Sequence, residues 1–198
     1  MEHDLFGKPA STFPDHALAV LQWGMREALR LHPDSTCDPA IRIDGEVARL
    51  RRDRLVLTYV VNGRIGKLSL PPVGPPARTD ELWQHTCFEA FVRSAADPGY
   101  YEFNFAPSTQ WASYRFAGYR SGMAVATEIA TPRIAVRSSA RHFTLEAVVD
   151  LSSVSLPYRL GLSAVLEETS GRKSYWALAH PPGKPDFHHA DCFTLELP

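Results

Sequence analysis

Apolar and polar residues alternate along most of this chain. In "AIRIDGEVARL" (40–50) and "DRLVLTYVV" (53–61) the apolar positions recur every second residue or run β-branched, the pattern of half-buried strands. Asn62–Gly63 between "DRLVLTYVV" and "RIGKLSLP" predicts a hairpin, because a tight two-residue turn needs residues that tolerate positive φ. The loop "PPVGPPARTD" (71–80) lacks the N–H groups a ladder requires and is expected to run over the surface. Further strands are predicted at 83–92, 100–106, 110–117, 123–129, 133–137, 141–150, 158–168, 173–179 and 191–197. One segment breaks the rule. In 16–31 the apolar residues Leu18, Leu21, Met25, Ala28 and Leu29 are spaced by threes and fours, which predicts a helix, capped by Asp15 and closed by Pro33. The expected architecture is therefore all-β: an antiparallel β-sandwich, immunoglobulin-like or jelly-roll, over 40–198, with 1–39 as an extension bearing one N-terminal helix that covers the sheet or meets a partner.

Two of these strands carry polar residues where plain alternation would be simpler. In 85–92 one face receives His85, Cys87, Glu89 and Phe91, and the other Thr86, Phe88, Ala90 and Val92. In 100–106 one face receives Tyr100, Glu102, Asn104 and Ala106, while Tyr101, Phe103 and Phe105 read as core. A hairpin pairing Val92 with Tyr101 sets Glu89 opposite Asn104; a slip of one residue puts them on different faces. Such a face is either the wet side of a half-exposed sheet or a ligand site. Tryptophans bear on the choice: Trp83 enters this strand, Trp111 opens the next but one, and Trp176 lies beside the polar loop "HPPGKPDFHH". Each fits a core, but indole faces next to carboxylate and amide groups also suit a sugar, whose C–H groups pack on the ring while polar side chains bond its hydroxyls. Arg115 shares a strand face with Trp111 and is a candidate donor; His180 and Asp186 would wall the pocket from the loop.

The totals narrow the function classes. The 198 residues are 44% hydrophobic and 22% charged with a formal net charge of −1, enough to bury one core and giving no polyanion-binding surface. The basic cluster "RLRRDR" (49–54) falls at an expected turn, so no nucleic-acid partner is expected. No apolar run approaches the roughly 20 residues of a membrane span. Absence of a visible secretory signal and three cysteines (Cys37, Cys87, Cys192) without CxxC spacing predict a cytoplasmic protein with reduced thiols. No GxSxG, HExxH or P-loop motif appears, and Glu89 with Glu102 reads as a binding rim in preference to an acid/base pair, so no catalytic residue is assigned.

The blocks "LWQHTCFEAFV…YYEFNFAPSTQWASYRF…YRSGM" and "SYWALAHPPGKPDFHHADCFTLEL" resemble the bacterial DOMON-like proteins, which are similar to the family 9 carbohydrate-binding modules. That resemblance covers most of 40–198 and implies a β-sandwich that binds a sugar, or haem, without doing chemistry. It implies that Trp83 with Glu89 six residues on, Asn104 on the following strand, and Trp176 near the C-terminus hold the saccharide between two indoles. No acidic cluster of the kind that holds structural calcium in those modules is visible. In a cytoplasm, a soluble sugar, a nucleotide sugar or a peptidoglycan precursor would suit better than a polysaccharide. The alternative ligand, haem, would need Met123 with His85, His180 or His188 as axial ligands. Zinc on the residues of 180–192 with His85 and Cys87 lacks a recognised spacing. A third reading is a protein-interaction module.

Overall fold

The computed structural model describes residues 23–51, 53–94, 97–154 and 157–197. Among these the regular elements are strands and three short 3-10 turns. In chain order the strands are β1 (Trp23–Leu31), β2 (Arg42–Arg51), β3 (Arg54–Asn62), β4 (Cys87–Ser94), β5 (Tyr100–Phe105) and β6 (Trp111–Phe116). Then come β7 (Ala124–Val125), β8 (Arg133–Ser138), β9 (His142–Asp150), β10 (Tyr158–Glu167), β11 (Lys173–Ala177) and β12 (Leu195–Leu197). They lie in the order β7-β6-β5-β4-β10-β11-β1-β2-β3-β9-β8, with β12 beside β10, and every strand pair is antiparallel.

This continuous sheet curls until its two halves pack face to face. β1 is the seam: residues 23–29 pair with β2, and Arg30 and Leu31 pair with Ala177 and Trp176 of β11. The core fills the interior with alternate side chains from both halves, Ile43, Val47, Leu57, Val61 and Leu145 on one side, Phe88, Phe103, Phe105, Leu160 and Leu162 on the other. Tyr59 bridges the halves; its buried hydroxyl donates to the Glu89 backbone carbonyl at 2.5 Å. A buried phenol needs such a partner, and the bond fixes β3 against β4.

The strand expectations mostly correspond to what forms, though 83–92 is strand only from Cys87 and 191–197 only over Leu195–Leu197, and other expectations differ. Residues 23–31 are strand, not helix, while 16–22 lie outside the described residues. Met25, Leu29 and Leu31 are the less exposed side chains of β1, so the pattern that reads as helical at Met25 and Leu29 also fits a period of two. The sheet thus includes a strand before residue 40. Gly63 takes φ 142°, yet β3 pairs with β2 and β9, not with 64–71, so no hairpin forms. There Ile65–Lys67 is a 3-10 turn that buries Ile65. Of 123–129 only Ala124–Val125 is strand. The proline-rich segment is exposed as expected, but the non-proline Arg78 bridges to Trp111 at the mouth of β6.

The half-sheet β6-β5-β4-β10-β11 is covered on its outer face as well. A second apolar cluster there includes Cys87, Phe91, Tyr100, Tyr114 and Phe116 from the strands and Phe187, Cys192 and Phe193 from the segment 179–193. Gly161 on β10 lets this segment lie directly on the sheet: a Cβ at that position would meet the Cys192 carbonyl oxygen at 2.8 Å. The segment covers one part of the face and leaves a hollow beside it.

Candidate functional site

Strand register builds the hollow row by row. Crossing the outer face from β11 to β6, one row reads Ala177, Ser163, Glu89, Asn104, Ala112. The next reads Gly161, Phe91, Glu102, Tyr114. The expected register, Val92 against Tyr101 and Glu89 against Asn104, is the one observed. Small side chains flank Glu89 and Asn104 in their row, so the sheet floor is low there, and Glu89 stands at the bottom of a cavity of about 550 Å³. Glu89, Glu102 and Val165 form its base; Trp83, Gln84, Tyr175, Phe187 and His188 wall it, and Arg120, Met123 and Lys173 reach its rim.

Trp83 sits in the 3-10 turn Leu82–Gln84 ahead of β4, entered through Glu81 at φ 62°. It is 36% exposed, with its ring edge-on to Tyr114 at 5.9 Å. The opposing aromatic is Tyr175, whose ring tilts against Phe187 at 6.3 Å. β11 alternates strictly, with Lys173, Tyr175 and Ala177 on the cavity side and Ser174 and Trp176 on the other.

The base is electrostatically strained. Glu89 is 3% exposed, and its Oε1 has no hydrogen-bond partner among the described residues. Burial, reinforced by the Glu102 charge, holds its pKa well above the usual carboxylate range. Glu102 is also raised, by burial first, and is partly relieved by Asn104, whose Nδ2 donates to Glu102 Oε1 at 2.7 Å. Two carboxyls this buried favour retaining a proton between them. His188 Nε2 stands 3.7 Å from Glu102 Oε2, while Tyr100 Oη and His188 Nδ1 are 2.7 Å apart. The Arg120 backbone N–H donates to the same hydroxyl, so Tyr100 joins His188 to the β6–β7 connection. Burial, then the Arg120 charge, lowers the His188 pKa to about 4, so the ring is neutral at pH 7.

Arg120 is held by Asp186, which takes two guanidinium bonds of 3.1 and 2.7 Å and one from the Tyr119 hydroxyl. Burial works to raise the Asp186 pKa, but these bonds outweigh it and hold it below the usual range. The clasp ties 179–193 to the β6–β7 connection.

Of the residues selected from sequence, the structure gathers Trp83, Glu89 and Asn104. Asn104 is sealed beneath Glu102 as its support and does not line the cavity. Trp176 and Trp111 must be corrected: both are core residues on the interior face, at 4% and 8% exposure, and the Trp176 indole N–H donates to Ser174. Arg115 shares Trp111's face, emerges at the strand end and pairs with Glu128 at 3.5 Å, away from the cavity. His180 is also outside it, its Nε2 against the Arg30 carbonyl oxygen and its ring edge-on to His32. Asp186 lines a neighbouring recess and reaches the cavity only through Arg120. Sequence reasoning missed Tyr175, Gln84, Arg120 and Phe187; the alternation of "KSYWALA" was the available signal for Tyr175.

For the haem alternative, Met123 is 58% exposed at the rim and His188 stands in the wall, whereas His85 is a surface residue 2.7 Å from Glu167. Among the described residues no group of three or more His, Cys, Asp or Glu side chains is arranged to hold a metal ion. The three cysteines are unpaired, and no described helix is long and apolar enough to cross a membrane.

No protein-family model matches the chain, and no curated protein matches it. Solved structures do. A protein from Bacteroides uniformis, described as a candidate for carbohydrate binding, superposes with a TM-score of 0.56 at 13% identity, over 85% of this chain and 84% of that one. A family 9 carbohydrate-binding module from Caldicellulosiruptor kristjanssonii, solved with cellotriose, superposes with a TM-score of 0.50 at 11% identity, over 80% and 74%. At such identities the likeness is one of fold.

Proposed function

We propose that this chain is a non-catalytic sugar-binding module whose ligand enters the cavity between Trp83 and Tyr175 and hydrogen-bonds to Glu89 and Glu102. The observation that carries the reading is a pair of buried carboxyls, Glu89 and Glu102, at the base of a cavity with an exposed indole in its wall. A pyranose answers both features. Its axial C–H groups pack on the indole and phenol rings, and its hydroxyls donate to the carboxyl groups that line the base. Gln84, Arg120 and Lys173 stand at the opening as donors for the remaining hydroxyls. A cavity of about 550 Å³ suits one or two sugar rings. The fold shared with a module that holds cellotriose is consistent with this use of the sheet face.

An acid/base role for Glu89 and Glu102 has less support. Both carboxyls have raised pKa values for the same reason, burial, whereas the two-carboxylate mechanisms need environments that drive the pair apart. The test is calorimetric titration of a panel of mono- and disaccharides. Binding by at least one sugar, weakened roughly 5- to 150-fold in Trp83→Ala for a platform worth about 1–3 kcal/mol, is the expected result. Heats of dilution alone across the panel would refute it.

A further inference from the structure

The charges facing the cavity do not balance at its base. Glu89 and Glu102 meet there on adjacent strands. Among the described residues neither is in an ion pair with a lysine or arginine: Arg120 is held by Asp186, His188 is neutral at pH 7, and Lys173 stands at the rim. Tyr100, Tyr114, Tyr175 and Cys87, also titratable and packed near the base, bring no positive charge. Among the described residues the Asn104 amide donates to Glu102 and no donor meets Glu89 Oε1, while the Arg120 charge acts on both carboxyls only from its clasp with Asp186. A sugar hydroxyl would supply that donor but no countercharge. An ammonium supplies both: three N–H donors and one positive charge, at a point walled by two aromatic rings.

We infer that the cavity selects amino sugars, with the ligand's ammonium seated on Glu89 and Glu102. This rests on the sugar-binding reading and narrows it. Because burial raises the pKa of both carboxyls in the empty protein, seating an ammonium favours their ionised form, and any proton they carry at the working pH leaves to solvent. No covalent bond changes. N-acetylation removes the charge and keeps the ring, so an N-acetylated sugar should lose the advantage.

The experiment compares glucose, galactose and mannose with their 2-amino and 2-acetamido counterparts by calorimetry at pH 7, in two buffers of different ionisation enthalpy. The expected result is a preference of at least tenfold for one amino sugar over its neutral and acetylated partners. Proton release should appear as a buffer-dependent heat, and the preference should fall to within about twofold in Glu89→Gln. Should that variant not fold, Glu102→Gln and the proton count of the unaltered protein give the same reading. Equal or tighter binding of the neutral sugars overturns the amino-sugar inference and leaves the sugar-binding reading standing. So does a preference that survives both substitutions. Binding by none of the nine sugars defeats the sugar-binding reading itself.

Discussion

A carboxyl group at 3% exposure is costly, and Glu89 bears that cost on the outer face of a sheet where Thr or Val would fold more easily. Next to it, His188 shows the opposite titration behaviour. Its folded pKa is about 4 against the ordinary 6.5, so below pH 6.5 the unfolded chain takes up a proton that the folded chain refuses. Stability from this residue is therefore present above pH 6.5 and is lost as pH falls toward 4, by up to about 3 kcal/mol. Glu89 and Glu102, with raised pKa values, contribute in the other sense: their stabilisation is complete below about pH 4.5 and declines as pH rises. Urea unfolding at stepped pH should show a shallower loss between pH 6.5 and 4 for His188→Asn than for the unaltered protein; parallel curves would contradict the assignment. The neighbours Tyr175 and Trp176 divide just as sharply. Tyr175→Ala should weaken ligand by roughly 1–3 kcal/mol with little change in stability, and Trp176→Ala should cost about 3–5 kcal/mol of stability. Strand parity in "KSYWALA" already carries this division; choosing the larger aromatic, as the resemblance suggests, overrides it.

At the scale of elements, the cavity exists because 179–193 lies against β10, crosses β5 at Tyr100 and Glu102, and leaves the face beside that crossing open. Gly161 permits the contact, and the Cys192 thiol, within 3.3 Å of the Ala179 and Asp186 carbonyl oxygens, closes the segment on itself. Gly161→Ala pushes a methyl group into backbone that cannot swing aside. It should destabilise by about 1–3 kcal/mol and speed amide exchange in 186–193 ahead of β4 and β5, read by hydrogen-exchange mass spectrometry. Unchanged exchange there would mean that the segment is held by something else. Such elements differ in how far sequence reveals them. β2 and β3 were legible as strands, and the β4–β5 hairpin in its register as well, because the paired segments lie close together in the chain. β1 was not, since its spacing at Met25 and Leu29 satisfies both periods and its partner β11 lies far along the chain. Arg120 and Phe187 sit on loops whose positions follow from contacts distant in sequence, which no local pattern encodes.

The whole molecule separates a dry core from an open hollow on the two faces of one curled sheet. Its interior face holds Trp111 and Trp176 in a dry core joined across the halves, and its outer face holds Trp83 and the carboxyl pair in an open hollow. The alternation of strands makes that separation possible, because adjacent residues such as Tyr175 and Trp176 serve opposite sides without sharing contacts. It also gives the indoles separate reporters. With the protein labelled in 15N and the indole N–H signals assigned by Trp→Phe substitution, a sugar found to bind is titrated in. The Trp83 signal should shift through the titration while those of Trp176 and Trp111 stay fixed. A sugar that binds and moves Trp176 or Trp111, with Trp83 unchanged, would contradict the account.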